Sequence, residues 1–346
     1  MFNCRSEIRS NARFLADFVI GLLLFLGADV PGENSHPHTL VAAATAETTT
    51  IATTRESHTA TKSEISFLFD GNTYQALLYV PQNNNNSKSY PLLIATPGIG
   101  DRLLRYIRVT DFAHMAGLHG FIVAFPQIDQ YQDWPEFLNP SGDSNQAALF
   151  FRSIIASASK VANIQPSKIY LTGFSTGGMI VLAAMCDMSN EVAAFGIVSA
   201  SLPRAWQSEC RMKRAVPAIF FASRSDPILP WDGGRFSIPL AQTPSMDVLP
   251  IDDTVALWRQ NNRCNPRPLL EPMANVDPSD STTVTRLKYD FECRNDAQVL
   301  LYAITGGGHT WPGSVAKLRS FEGAISQDIS ASNSIWEFVR RYSLVH

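Results

Sequence analysis

This chain has little with which to hold nucleic acid, a metal ion or a bilayer. Its formal net charge is only −3 over 346 residues. No basic field is therefore available for a phosphate backbone or an anionic lipid surface. No group of His, Cys, Asp and Glu shows the spacing of metal ligands. The apolar run Phe18 to Leu26 falls short of the roughly 20 residues that a membrane-spanning helix needs. No internal repeat and no second folded domain is signalled. Histidine is scarce, with 7 in the chain, and cysteine scarcer still, with 5. What is abundant is apolar residues, at 45%, together with 21 prolines and 20 glycines. That composition supplies a sizeable core and many loops between its elements.

The N-terminus is patterned for export. Arg5, Arg9 and Arg13 precede the apolar run, with Asp17 between, and small residues follow it at Ala28 and later at Ala46. Residues 1–28 are expected to be a signal peptide. Residues 29–62 read as a low-complexity tether, because the Thr/Ala-rich run Thr45 to Thr54 has no apolar periodicity from which to build a core. Cys4 would leave with the signal. The remaining Cys186, Cys210, Cys264 and Cys293 are even in number, as an oxidising compartment favours. The expected pairs are Cys186 with Cys210 and Cys264 with Cys293, each closing a local loop. The protein is expected to be secreted, extracellular or periplasmic, and to meet a membrane only where the signal stays uncleaved.

From Ser63 onward the pattern changes. Ile65 to Phe69 and Tyr74 to Val80 flank Asp70-Gly71-Asn72, a strong hairpin signal. Asn85-Asn86-Ser87 is a glycosylation acceptor pattern for a eukaryotic secretory route. Apolar runs then recur at Leu92 to Thr96, Phe121 to Phe125, Ile169 to Thr172, Ala218 to Ala222 and Val299 to Ile304. Helical patterns such as Asn145 to Val161 and Gly178 to Met188 lie between them. This alternation predicts an α/β fold: a mostly parallel central sheet with helices on both faces, preceded by an antiparallel hairpin. Residues 63–346 read as one catalytic domain.

Chemistry concentrates in three short stretches. Gly173-Phe174-Ser175-Thr176-Gly177 matches G-x-S-x-G, directly after a predicted strand and before an apolar helix, where a nucleophilic serine is lifted off the sheet by a sharp turn. A base for Ser175 is sought among few histidines. His114 and His119 precede a strand and so lie at the wrong edge, and His346 ends the chain. His309 follows the strand Val299 to Ile304 through Thr305-Gly306-Gly307-Gly308, which brings it over the carboxyl edge where the sites of open α/β sheets gather. The acid should lie between them in the chain. Asp226 follows the strand Ala218 to Ala222 and is expected to fix the imidazole tautomer. Asp232 is its rival. The oxyanion of an acyl-transfer intermediate needs two donors. The Thr176 N–H is one. The loop Pro97-Gly98-Ile99-Gly100 should supply the other, at Ile99 first and Gly98 second, since Pro97 has no N–H.

Substrate-facing signals are weaker. Tyr131, Trp134 and Phe137 stand in a polar loop, Gln127 to Ser144, and Trp311 stands near His309. Trp134 and Trp311 are the candidate platforms for a sugar or phenolic group. The Pro-rich stretch Pro230 to Pro250 is a candidate wall or lid. Neither a metal nor a nucleotide or other cofactor is called for.

These residues resemble the secreted polyhydroxybutyrate depolymerase and feruloyl/acetylxylan esterase group of the α/β-hydrolases. The resemblance rests on Pro91 to Ala95 leading to the oxyanion loop, on the elbow Gly173 to Gly178, and on Ser225-Asp226-Pro227 with Pro230 and Gly233-Gly234. Above all it rests on Gly306-Gly307-Gly308-His309-Thr310-Trp311-Pro312-Gly313. It implies an α/β-hydrolase fold over residues 63 to 342 and a Ser175, Asp226, His309 triad. It also supports the pairing of Cys264 with Cys293. Two departures stand out: Pro97-Gly98 where the group usually has His-Gly, and Thr176 where Asn or Ala is common. The implied activity is hydrolysis of feruloyl or acetyl esters of plant cell-wall polysaccharide, so the expected partner is a polymeric ester. Depolymerisation of a polyhydroxyalkanoate is the enzyme alternative. A catalytically silent binding protein on the same fold is the alternative of another class.

Overall fold

The computed structural model describes residues 59–82, 88–128, 145–236, 246–315 and 322–344. The expected signal and most of the expected tether, as well as Asn85, Tyr131, Trp134 and Phe137, lie outside them. The first described elements are the predicted hairpin. β1 (Ala60–Phe69) and β2 (Asn72–Pro81) pair antiparallel with Phe69 opposite Asn72. The turn is Asp70-Gly71 alone, and both residues have positive φ, 48° and 75°. A turn of that hand matches the twist of the strands it joins, and Asp-Gly is a pair that tolerates it.

The remaining strands are β3 (Tyr90–Thr96), β4 (Ile122–Pro126), β5 (Ile164–Phe174), β6 (Ala194–Val198), β7 (Ala218–Ser223), the short β8 (Gly234–Phe236) and β9 (Met246–Val248), β10 (Leu269–Pro272), β11 (Thr283–Tyr289) and β12 (Val299–Thr305). The described α-helices are α1 (Leu103–Thr110), α2 (Phe112–His119), α3 (Asn145–Val161), α4 (Thr176–Met188), α5 (Ile251–Asn261) and α6 (Ala331–Val339). Among the described residues ten strands form one sheet in the order β1-β2-β4-β3-β5-β6-β7-β12-β11-β10. Its middle, β4 to β12, is parallel throughout. Both ends are antiparallel.

The sheet is covered on both faces, so its central strands are apolar at successive positions instead of alternating. Leu92 and Ile94 of β3 join a core with α3, α4 and α5; Leu93 and Ala95 join another with α1, α2 and α6. Each fully buried Leu, Ile or Phe in these layers contributes about 1.5–3 kcal/mol over leaving it in water. The disulfides are Cys186–Cys210 and Cys264–Cys293, as the spacing predicts.

Several elements carry no sequence signal of their own. β6 is five residues long and follows the apolar α4 closely. Its Gly196 lets α6 approach: a Cβ there would stand 2.9 Å from Ile335 Cγ1. β10 and β11 form the far antiparallel edge, where exposed and half-buried residues leave no apolar run to read. Around residues 237–245, which are not described, the Pro-rich stretch is anchored: β8 pairs with β9, and the Trp231 indole N–H reaches Asp252 of α5 at 3.1 Å.

Candidate active site

β5 runs straight into α4 with Ser175 at the junction, at φ 53° and ψ −126°. A serine in that region is strained, and the surrounding fit holds it there. Gly177 leaves no room for relief: a Cβ on it would stand 2.2 Å from the Pro97 carbonyl oxygen and 2.5 Å from that of Thr96. The elbow thus presses directly on the loop after β3. Gly98 of that loop lies against the serine, since a Cβ there would be 3.1 Å from Ser175 Cβ.

The structure brings Ser175, His309 and Asp226 together. Ser175 Oγ is 2.8 Å from His309 Nε2, and His309 Nδ1 is 2.8 Å from Asp226 Oδ2. All three are buried or nearly so. Asp226 Oδ1 accepts from the Ile228 and Leu229 N–H groups, both at 2.8 Å. An ionised carboxylate only accepts, so the shared proton sits on Nδ1 and Nε2 is left to accept from the serine hydroxyl. Asp232 is exposed, and no hydrogen bond joins it to His309. His114 pairs with Asp111 on the surface of α2 instead.

His309 is held by contacts that sequence reading missed. The His309 N–H donates to the Glu322 carbonyl at 2.6 Å, and the Gly308 N–H donates to Ala324 at 2.8 Å. Gly308 must be glycine for this pairing, because a Cβ would stand 2.0 Å from the Glu322 carbonyl oxygen. On β7, the Ser223 hydroxyl donates to the Gly307 carbonyl at 2.6 Å. Arg105 of α1 bonds Asp101 at 2.8 Å and Glu322 at 3.3 Å, tying the end of the loop after β3 to the segment behind His309. These residues, with Tyr106, Phe174 and Trp311, border a narrow pocket beside His309. Burial first, then the Asp101 charge, push the Tyr106 hydroxyl well above the ordinary tyrosine range, so it stays protonated. Apart from Arg105–Asp101, four residues apart, these contacts have no local signal, because each joins distant parts of the chain.

Two sequence expectations meet a different arrangement. The Ile99 N–H is not free: it donates to the Thr176 hydroxyl at 2.7 Å, in a fully buried setting. Gly98, the second choice, makes no hydrogen bond through its N–H among the described residues, nor does Thr176 through its own. Trp311 is packed as core and is not displayed as a platform. Its indole N–H reaches Ser332 Oγ at 2.9 Å, and its ring packs edge-on against Tyr106, Phe112 and Phe174. It meets the site through Phe174, whose ring centre is 5.1 Å from that of His309. Trp134 lies outside the described residues.

No family model matches the chain. NocK of Nocardia uniformis subsp. tsuyamanensis, which carries an esterase name, is 26% identical over 59% of this chain and 60% of its own. Feruloyl esterase B of Piromyces equi is 23% identical over 78% of this chain and 45% of its own. The bifunctional acetylxylan esterase/xylanase XynS20E of Neocallimastix patriciarum is 27% identical over 44% of this chain and 21% of its own. The chain thus spans less than two thirds of the length of each of these curated relatives. Among solved structures, a dienelactone hydrolase-like promiscuous phosphotriesterase from metagenomic libraries aligns with a TM-score of 0.54 at 11% identity, over 82% of this chain and 99% of that one. The chain has the α/β-hydrolase fold and is similar in sequence to esterases, a feruloyl esterase and an acetylxylan esterase among them.

Proposed function

We propose that this protein is a serine carboxylic-ester hydrolase acting on feruloyl or acetyl esters of plant cell-wall polysaccharide. The observation that carries the reading is the unbroken chain from Ser175 Oγ through His309 to Asp226, each link 2.8 Å. Ser175 Oγ attacks the ester carbonyl carbon and passes its proton to His309 Nε2. Asp226 stabilises the resulting imidazolium. The tetrahedral intermediate collapses, the C–O bond to the alcohol breaks, and His309 returns the proton to the leaving oxygen. Water then enters by the same route, loses a proton to His309 and releases the acid from Ser175. The Thr176 N–H, at the positive end of α4, is one donor to the oxyanion.

The substrate class draws on the relatives named as feruloyl and acetylxylan esterases. Export agrees with two disulfides, which persist in oxidising compartments. In this reading residues 1–28 are a signal peptide and the expected tether at 29–62 leads into the expected catalytic domain at 63–346, whose first strand already begins at Ala60.

The test is covalent labelling with a fluorophosphonate followed by intact-mass measurement, with Ser175→Ala beside it. One adduct that vanishes in the variant supports the reading. No adduct on folded protein refutes it and moves a silent binding protein to first place. Release of ferulate or acetate from arabinoxylan or acetylxylan, against soluble product from polyester film, then separates the substrate classes.

A further inference from the structure

Resting on that reading, we infer that the second oxyanion donor is the side-chain hydroxyl of Thr176, relayed from the Ile99 N–H, so that one residue gives the oxyanion both of its donors. The loop N–H best placed by sequence, that of Ile99, already donates to Thr176 Oγ1 at 2.7 Å. A hydroxyl that accepts one hydrogen bond still has a proton of its own to give. Thr176 is fully buried, and its hydroxyl has no acceptor among the described residues. The hydroxyl is engaged as an acceptor only, so the proton it carries remains to be given to a group that forms beside Ser175. The oxyanion that forms next to Ser175 is an acceptor that exists only during reaction. Accepting from Ile99 also polarises the hydroxyl and makes it a stronger donor. The loop backbone then acts through the hydroxyl instead of touching the oxyanion itself.

Thr176→Val keeps the branched shape and removes the hydroxyl, and Thr176→Ser keeps the hydroxyl and removes a methyl. Both are assayed with p-nitrophenyl acetate and its thiono analogue, alongside thermal unfolding and fluorophosphonate labelling of the unsubstituted protein. The expected result for Thr176→Val is a kcat loss of roughly 10²–10³-fold with KM nearly unchanged, the cost of one oxyanion donor. The loss should be smaller on the thionoester, whose sulfur accepts hydrogen bonds poorly. Thr176→Ser should restore kcat to within about tenfold of the unsubstituted protein. If Thr176→Val keeps its kcat while the parent labels normally, this inference falls alone and the second donor returns to the loop backbone, at Gly98 or Ile99. If Thr176→Ser loses as much as Thr176→Val, or if oxo- and thionoester losses match, the hydroxyl is not the donor and the inference fails. If the parent itself takes no label, the esterase reading falls and this inference with it.

Discussion

Replacing Gly177 by alanine measures how closely the turn at Ser175 and the loop after β3, the proposed nucleophile elbow and oxyanion loop, are fitted. The added Cβ would stand 2.2 Å from the Pro97 carbonyl oxygen, and such contacts are essentially never under 3.0 Å, so something must retreat by at least 0.8 Å. Neither side yields cheaply: the obstacle is backbone, and Ser175 beside it is already held at a positive φ of 53°. The shift falls between Ser175 and the loop bearing Gly98 and Ile99, across the space where an ester carbonyl must sit. A misplacement of about 1 Å between reacting groups costs roughly 10²-fold in rate. Overpacking of this kind also costs about 1–3 kcal/mol of stability, which corresponds to a fall in Tm of roughly 2–5 °C for a domain of this size. The assay is kcat on a small activated ester, with thermal unfolding on the same sample. A folded Gly177→Ala protein with kcat within about threefold of the parent would refute the reasoning, because it would mean that the elbow and loop can part without loss of the site.

Four further outcomes follow from the same geometry. Asp226→Asn keeps the size of the side chain but loses the carboxylate that holds the proton on His309 Nδ1, so kcat should fall about 10⁴-fold with little change in Tm; a loss under tenfold would point to another acid. Arg105→Ala releases Asp101 and Glu322 together and should lower kcat roughly tenfold through the looser His309 loop, with partial recovery in Arg105→Lys; unchanged kinetics would show that the backbone bonds to Glu322 and Ala324 suffice. Reduction of Cys186–Cys210 and Cys264–Cys293, whose partners are 24 and 29 positions apart in the chain, should remove about 3 kcal/mol each, read as a lower Tm in dithiothreitol; an unmoved Tm would mean that the native state holds without them. Deleting residues 1–58, which stops short of β1 at Ala60, should leave kcat and KM on a soluble ester as they are, and a loss would give the expected tether a part in the site.

The local features were legible in the sequence because short-range chemistry dictates them. Asp70-Gly71 announces its turn through the backbone angles it tolerates. Gly173 to Gly178 announces the elbow, since a Cβ on Gly173 or Gly177 collides with backbone. The glycines before His309 announce a loop able to lie over the sheet edge. The disulfide pairs were legible for a similar reason, as each closes a short loop. The three residues now gathered at 2.8 Å were each placed by one local rule, the loop that follows a strand.

The rest was decided only when distant segments met. No pattern around Glu322 announces that its carbonyl receives the His309 N–H, or that Arg105 would tie it to Asp101. Trp311 sits in the most telling string of the chain, yet α1, α2 and α6 close around it and make it core. A sequence shows that Thr176 has a hydroxyl; only the close approach of the β3 loop makes that hydroxyl the acceptor for Ile99. By itself the sequence determined which residue types could do the chemistry, and in what chain order, because turn, strand and helix preferences act over a few residues. The tertiary structure decided which donors are free and which side chains are buried, because those depend on contacts between segments that lie far apart along the chain.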